Sequence, residues 1–264
     1  MVVYVVLISA AFVTATISAI LGMGGGILLL ATMFCFMAHA DAIPAHAVVQ
    51  LVSNSTRALA YMRNVDWRVL GRFIMGALPG SCLAVFLLLV LGKLDNSEPY
   101  LKTLIGLYIL VAAYLPKKKG SAAAGTWWDW PLMGLVAGSA ALLVGAAGPL
   151  IAPLFARRAF IKERLIATKA MCQIFLHLSK IPGFLLLRTI AARSDGLVNS
   201  MLDLSDLGML AVLMSVAVVP GTLLGRSLIR FVSERAFMAM FKVALTVAGL
   251  KVLLIDGLWP LLGQ

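Results

Sequence analysis

Charge is scarce in this chain, and negative charge scarcest. The 22 Lys and Arg and 11 Asp and Glu together make up only 12% of 264 residues, about half the share of soluble domains, which excludes a fold whose surface faces water. Cysteine is rare as well: Cys35, Cys82 and Cys172 stand singly in apolar segments. None forms a CxxC or His/Cys spacing, which excludes a zinc or redox centre of the usual kind, so they read as small apolar residues in the membrane. Nor is there a basic stretch ahead of the apolar run that begins at Met1. That run continues for a full span, so it reads as a first membrane helix and not as a cleaved signal.

Apolar and aromatic residues make up 62% of the chain, and the mean hydropathy is +1.01. The stretches Val2–Leu21, Ile74–Leu91, Leu101–Leu115, Leu207–Leu224 and Phe237–Ile255 approach or reach the roughly 20 residues that cross about 30 Å of hydrocarbon. A bilayer is therefore the solvent, and the lipid bilayer is the first partner.

A net charge of +11 is not a nucleic-acid signature here, because the basic residues flank apolar spans in short breaks. Arg63, Arg68 and Arg72, then Lys117–Lys119, then Arg157, Arg158, Lys162 and Arg164, then Arg226, Arg230 and Arg235 mark four breaks as cytoplasmic. The breaks at 38–43, 92–99 and 191–206 and the tail after Lys251 carry mostly acids, Asp41, Asp95, Glu98, Asp195, Asp203, Asp206 and Asp256 among them. These are expected on the outer side of an inner membrane, together with both termini.

Two segments then begin and end on one side, residues 1–37 on the outside and 131–156 on the inside. Each is expected to be a broken or re-entrant hairpin that turns at a glycine-rich tip: Gly22-Met23-Gly24-Gly25-Gly26 and Gly145-Ala146-Ala147-Gly148-Pro149. A shift of 123 residues superimposes the tips. It also carries Gln50 onto Gln173, Asn54 onto His177 and Arg57 onto Lys180. With somewhat larger shifts, Pro79-Gly80 matches Pro220-Gly221 and Ser97-Glu98 matches Ser233-Glu234. The expected fold is all-α and polytopic, with two inverted-topology repeats of one hairpin and three membrane helices each. Residues 1–116 form the first repeat, 117–130 a cytoplasmic linker and 131–264 the second repeat, an arrangement used by transporters.

Irregular backbone at membrane depth is tolerated where protein or a wet cavity satisfies it, so the two tips predict a cavity near the midplane. Glycine lets backbone approach a ligand closely, and a helix that restarts after the tip offers free N–H groups to an anion. Gly24, Gly25, Gly26 and Gly148 are the candidates, and close helix packing is the plain alternative. Residues at i, i+4 and i+7 share a helix face. Gln50, Asn54 and Arg57 thus form one polar stripe, and Gln173, His177 and Lys180 a second. A buried cation costs about 2.5–3.5 kcal/mol on insertion scales, which points to function, with snorkelling to the interface as the alternative. No acid falls within a span, so basic and amide groups stand without carboxylates and favour an anion. His177 could titrate near neutrality or simply make a hydrogen bond. His39 and His46 are placed near the outer surface with no specific role. Pro79-Gly80 and Pro220-Gly221 read as kinks in spans that pack on the hairpins.

Several of these stretches carry a resemblance: Gly22-x-Gly-Gly-Gly26, Gln50-Leu-Val-Ser-Asn-Ser-Thr-Arg57, Val65-Asp-Trp-Arg68, Ala77-Leu-Pro-Gly80, Gly148-Pro-x3-Pro153 and Ala167-Thr168. Across nearly its whole length the chain resembles the sulfite exporter family of the TauE/SafE type. The first tip departs from that pattern, reading Ile27-Leu-Leu-Leu-Ala31 where a Val-Pro is common. The resemblance implies two homologous halves joined by a cytoplasmic loop, and a permease for sulfite, sulfonates and related sulfur anions.

Together these readings lead to an anion carrier, not an enzyme, with no cofactor. The substrate, a sulfite, sulfonate or thiosulfate type of anion, binds between the tips and the two stripes. Two rivals remain at this level, an anion-selective channel and a membrane enzyme that handles sulfur through Cys172. Direction of transport and homo-oligomer formation stay open.

Overall fold

The computed structural model describes residues 2–21, 25–91, 97–114, 126–148, 150–151, 155, 160, 162–191, 204–228, 239, 242–243, 245–247 and 249–262. Among these every regular element is helical: α1 (Val2–Leu21), α2 (Gly25–Phe34), α3 (His39–Ala60), a 3-10 turn (Met62–Asn64), α4 (Trp67–Leu91), α5 (Ser97–Tyr114), α6 (Asp129–Leu143), α7 (Lys162–Ala191), α8 (Leu204–Leu228), a π-helical segment (Lys251–Leu258) and α9 (Trp259–Leu262). Helix is what an apolar solvent demands, since it pairs backbone groups within one segment.

Five segments are long and apolar enough to cross a bilayer: Val2–Ala19, Trp67–Leu91, Glu163–Leu187, Ser205–Gly225 and Leu245–Leu262. The expected stretch Leu101–Leu115 corresponds to a shorter apolar helix, Pro99–Val111. Helix α3 has 22 residues but falls outside that group, since it carries His39, Asp41, His46 and the run Ser53-Asn54-Ser55-Thr56-Arg57. Gly22, Met23, Gly24, Pro149 and Lys117–Lys119 lie outside the described residues, as does the expected linker up to residue 125.

The packing crosses between the expected halves. Helix α1 lies along α8, α6 along α4, and α3 along α7. Small residues let the backbones of the first two pairs touch. A Cβ added at Gly80 of α4 would lie 2.2 Å from the Leu135 carbonyl oxygen of α6, and one at Gly221 of α8 would lie 2.4 Å from that of Phe12 in α1. The 123-residue shift carries Phe12 onto Leu135, so both Pro-Gly spans use their glycine on equivalent carbonyls. Their role is close contact with the hairpin of the other half; α4 and α8 run through Pro79 and Pro220 as continuous helices. Likewise α5 packs on the π-helical segment, where Gly106 meets Leu253 and Gly257 meets Thr103.

The apolar core joins the same elements. Ile27 and Leu30 of α2, Ile43 of α3, Ile105 and Ile109 of α5, Leu142 of α6 and Phe184 of α7 form one buried cluster. A second cluster holds α1, α2, α3 and α8 together, and a third holds α4, α6 and α7. The second tip turns at Gly145, whose φ of 85° suits glycine.

At one end of the bundle Asp66 ties α4 to α7. Its carboxylate accepts the backbone N–H groups of Arg68 and Val69, capping α4, and also accepts the Arg164 guanidinium. Its own N–H donates to Thr168 Oγ1 at 2.9 Å. Partial burial raises the Asp66 carboxyl, but the Val69 N–H and Arg164 outweigh it and hold the group below the usual carboxylate range. Beside this tether runs a groove of about 580 Å³ lined by Arg63, Asn64, Val65, Asp66, Trp67, Arg68 and Arg164.

Two outcomes are expected. Gly80→Val and Gly221→Val each force a backbone pair apart, and each should lower thermal stability of the purified protein by about 1–3 kcal/mol, whereas Gly208→Ala, where a Cβ meets nothing within 4 Å, should not. A carboxylate with a depressed pKa stabilises the fold above its unfolded pKa and loses that contribution as pH falls through its folded pKa. Asp66→Asn should therefore lower the melting temperature at neutral pH, and the gap to wild type should close on acidification below the carboxylate range.

Candidate functional site

Helices α3 and α7 cross with their polar stripes facing each other. The ring centroids of His46 on α3 and His177 on α7 are 5.6 Å apart, edge to face. Both hairpin tips reach this level. His46 Nε2 donates to the Gly26 carbonyl oxygen at 2.8 Å, and Gly26 presents its backbone to the Gln50 amide, 3.2 Å from where a Cβ would stand. In the second hairpin a Cβ at Gly148 would stand 3.1 Å from Gln173 Nε2. Each tip glycine thus leaves room that the glutamine of its own half fills. Gly26 lies opposite the middle of α3, between His46 and Gln50.

The two stripe cations bind the ends of the broken helices. Fully buried Lys180 donates to the Gly145 carbonyl oxygen, just past α6, and to His177 Nδ1 at 3.1 Å. Arg57 donates to Ser18 Oγ at 2.9 Å, in the last turn of α1, and to Ser53 Oγ at 2.8 Å. Both cations therefore sit where a helix macrodipole is negative, and Arg57 is directed inward to α1. Asn54 Nδ2 donates to the Gln50 carbonyl oxygen at 2.9 Å, while its buried Oδ1 has no partner among the described residues.

The structure thus brings together Gly26, Gln50, Asn54, Arg57, Gly148, Gln173, His177 and Lys180 from two helices and two tips. Gly25 faces elsewhere: a Cβ there would lie 2.2 Å from the Thr14 carbonyl oxygen, so this glycine serves the α1–α2 contact. Gly24 lies outside the described residues.

One expectation needs correction. His46 is not at an outer surface but 1% exposed and central, because α3 begins at His39 and carries it two turns inward. Asp41 is buried in the first turn of α3, where an acid suits the helix N-terminus. The signal for His46 was in the repeat. The shift of 123 carries it onto Lys169, which is also buried and engaged, so the stripes extend to His46, Gln50, Asn54, Arg57 and Lys169, Gln173, His177, Lys180.

Cys172 is fully buried in the α4–α6–α7 core, and among the described residues no group of His, Cys, Asp or Glu could hold a metal ion. Long apolar helices around a polar, cationic interior built from broken hairpins define a multi-pass membrane transport protein. The chain belongs to the sulfite exporter TauE/SafE family, which it matches over residues 7–252. Comparison with curated proteins and with solved structures gives no match.

The contact between Gly148 and Gln173 gives a test. Gly148→Ala moves only the end of a flexible side chain, so it should leave stability within about 0.5 kcal/mol of wild type while weakening sulfite binding several-fold, read by titration of the purified protein.

Proposed function

We propose that this protein is an inner-membrane carrier of a small sulfur oxyanion or organosulfonate, which binds between the two hairpin tips. The observation that carries this reading is the convergence, midway along α3 and α7, of two tip glycines and two glutamine-bearing stripes with two cations, Lys180 fully buried and Arg57 half-buried. No acidic side chain accompanies them among the described residues of the cluster. Backbone at the tips, Gln50, Asn54, Gln173 and His177 contact the anion. Arg57 and Lys180 supply the positive potential from their places at the ends of α1 and α6.

Pairing of α1 with α8 and of α6 with α4 supports an inverted repeat spanning residues 1–116 and 131–264, since exchange of the halves maps one pair onto the other. Alternating access then follows from rocking of one half against the other. The Asp66–Arg164 tether would close the basic, cytoplasmic end in the state described, with export as the direction. The same reading places both termini on the periplasmic side.

Binding and counterflow together test this. A ligand at 100 times its dissociation constant stabilises by about 2.7 kcal/mol, so sulfite or a sulfonate should raise the melting temperature where chloride and phosphate do not. Lys180→Gln and Arg57→Gln should insert normally and lose at least tenfold in that affinity. Undiminished binding in both variants contradicts the site. In proteoliposomes, outside anion should accelerate efflux of inside anion; efflux without such acceleration would mark a channel.

A further inference from the structure

The two ring nitrogens of His46 are not equivalent. Nε2 lies against the Gly26 carbonyl oxygen, which can only accept, so Nε2 holds the proton. A neutral imidazole then leaves Nδ1 as a bare acceptor, and no donor among the described residues meets it. Asn54 repeats the situation: its Nδ2 donates to the Gln50 carbonyl oxygen, which fixes the amide, and its buried Oδ1 is an acceptor without a donor among the described residues. His177 differs, since Lys180 fills its Nδ1.

An oxyanion set against such lone pairs leaves them unpaired and repels them, a penalty worth about tenfold in affinity for one buried acceptor. An anion that carries a hydrogen removes it by donating. We propose that the site takes its substrate as the hydrogen-bearing monoanion, hydrogensulfite in preference to the sulfite dianion, with His46 Nδ1 accepting the hydrogen. This rests on the carrier reading above and adds the protonation state of the cargo. Asn54 lies eight residues from His46, about 12 Å along α3, so a small anion meets the two acceptors in turn and not together.

The groups around His46 are few. His177 and Lys180 face it from α7, Arg57 lies three turns further along α3, Asp41 is buried in the first turn of α3, and α2 offers no titratable side chain. The test is therefore to measure, on the purified full chain, the affinities for sulfite and for methanesulfonate across the second ionisation of sulfite. Methanesulfonate remains a monoanion without a donor hydrogen throughout.

Sulfite affinity should rise about tenfold or more on acidification, in step with the hydrogensulfite fraction, while methanesulfonate affinity stays flat. His46→Phe should flatten the sulfite profile, and the wild-type comparison decides by itself where that variant does not fold. Parallel tightening of both anions would mean that a protein group takes up the proton, and would overturn the proposal. Equal sulfite affinity at every pH would overturn it too. If neither anion binds at any pH, the carrier reading itself falls, a result distinct from either of those.

Discussion

Hydrocarbon offers no partner to a backbone group, so a helix that ends halfway along a membrane bundle must have its terminal N–H and C=O groups met by the protein itself. This chain breaks two hairpins at that level, and much of its polar interior serves to close them. Lys180 meets the carbonyl of Gly145, Arg57 meets the last turn of α1 through Ser18, and His46 meets the carbonyl of Gly26. The two cations sit at helix C-terminal ends, where the dipole favours positive charge, and in the proposed carrier the same charges give the site its positive potential. In that proposal, stability of the break and attraction for an anion come from one set of residues.

The remaining packing keeps those breaks in register. Gly80 against Leu135 and Gly221 against Phe12 fix each hairpin to a long helix of the opposite half. Each hairpin is thereby packed against a span of the opposite expected half. This pairing fits the proposed carrier, in which the two tips would approach and part together, and Cys172, the one sulfur candidate for an enzyme, is fully buried.

Much of this was legible in the sequence. Glycine tips stand out in an apolar chain, and Gln50, Asn54 and Arg57 at helical spacing, repeated as Gln173, His177 and Lys180, mark the facing stripes. The family resemblance rested on the same stretches. His46 was hidden because one histidine a few residues after a polar break reads as part of a loop, and only its repeat partner Lys169 shows otherwise. Exchange of helices between halves was hidden for another reason: a glycine stripe marks that a helix is touched closely but not by which neighbour. The jobs of Lys180 and Arg57 at helix ends depend on tertiary geometry, which helical spacing cannot supply.

The most direct test of a single site between the tips is anomalous diffraction from crystals soaked in selenite, whose selenium marks the position of the anion. The account predicts a selenium peak between Gly26–Gln50 and Gly148–Gln173, beside His46. A peak confined to the groove of Arg63, Arg68 and Arg164, with none between the tips, would contradict it.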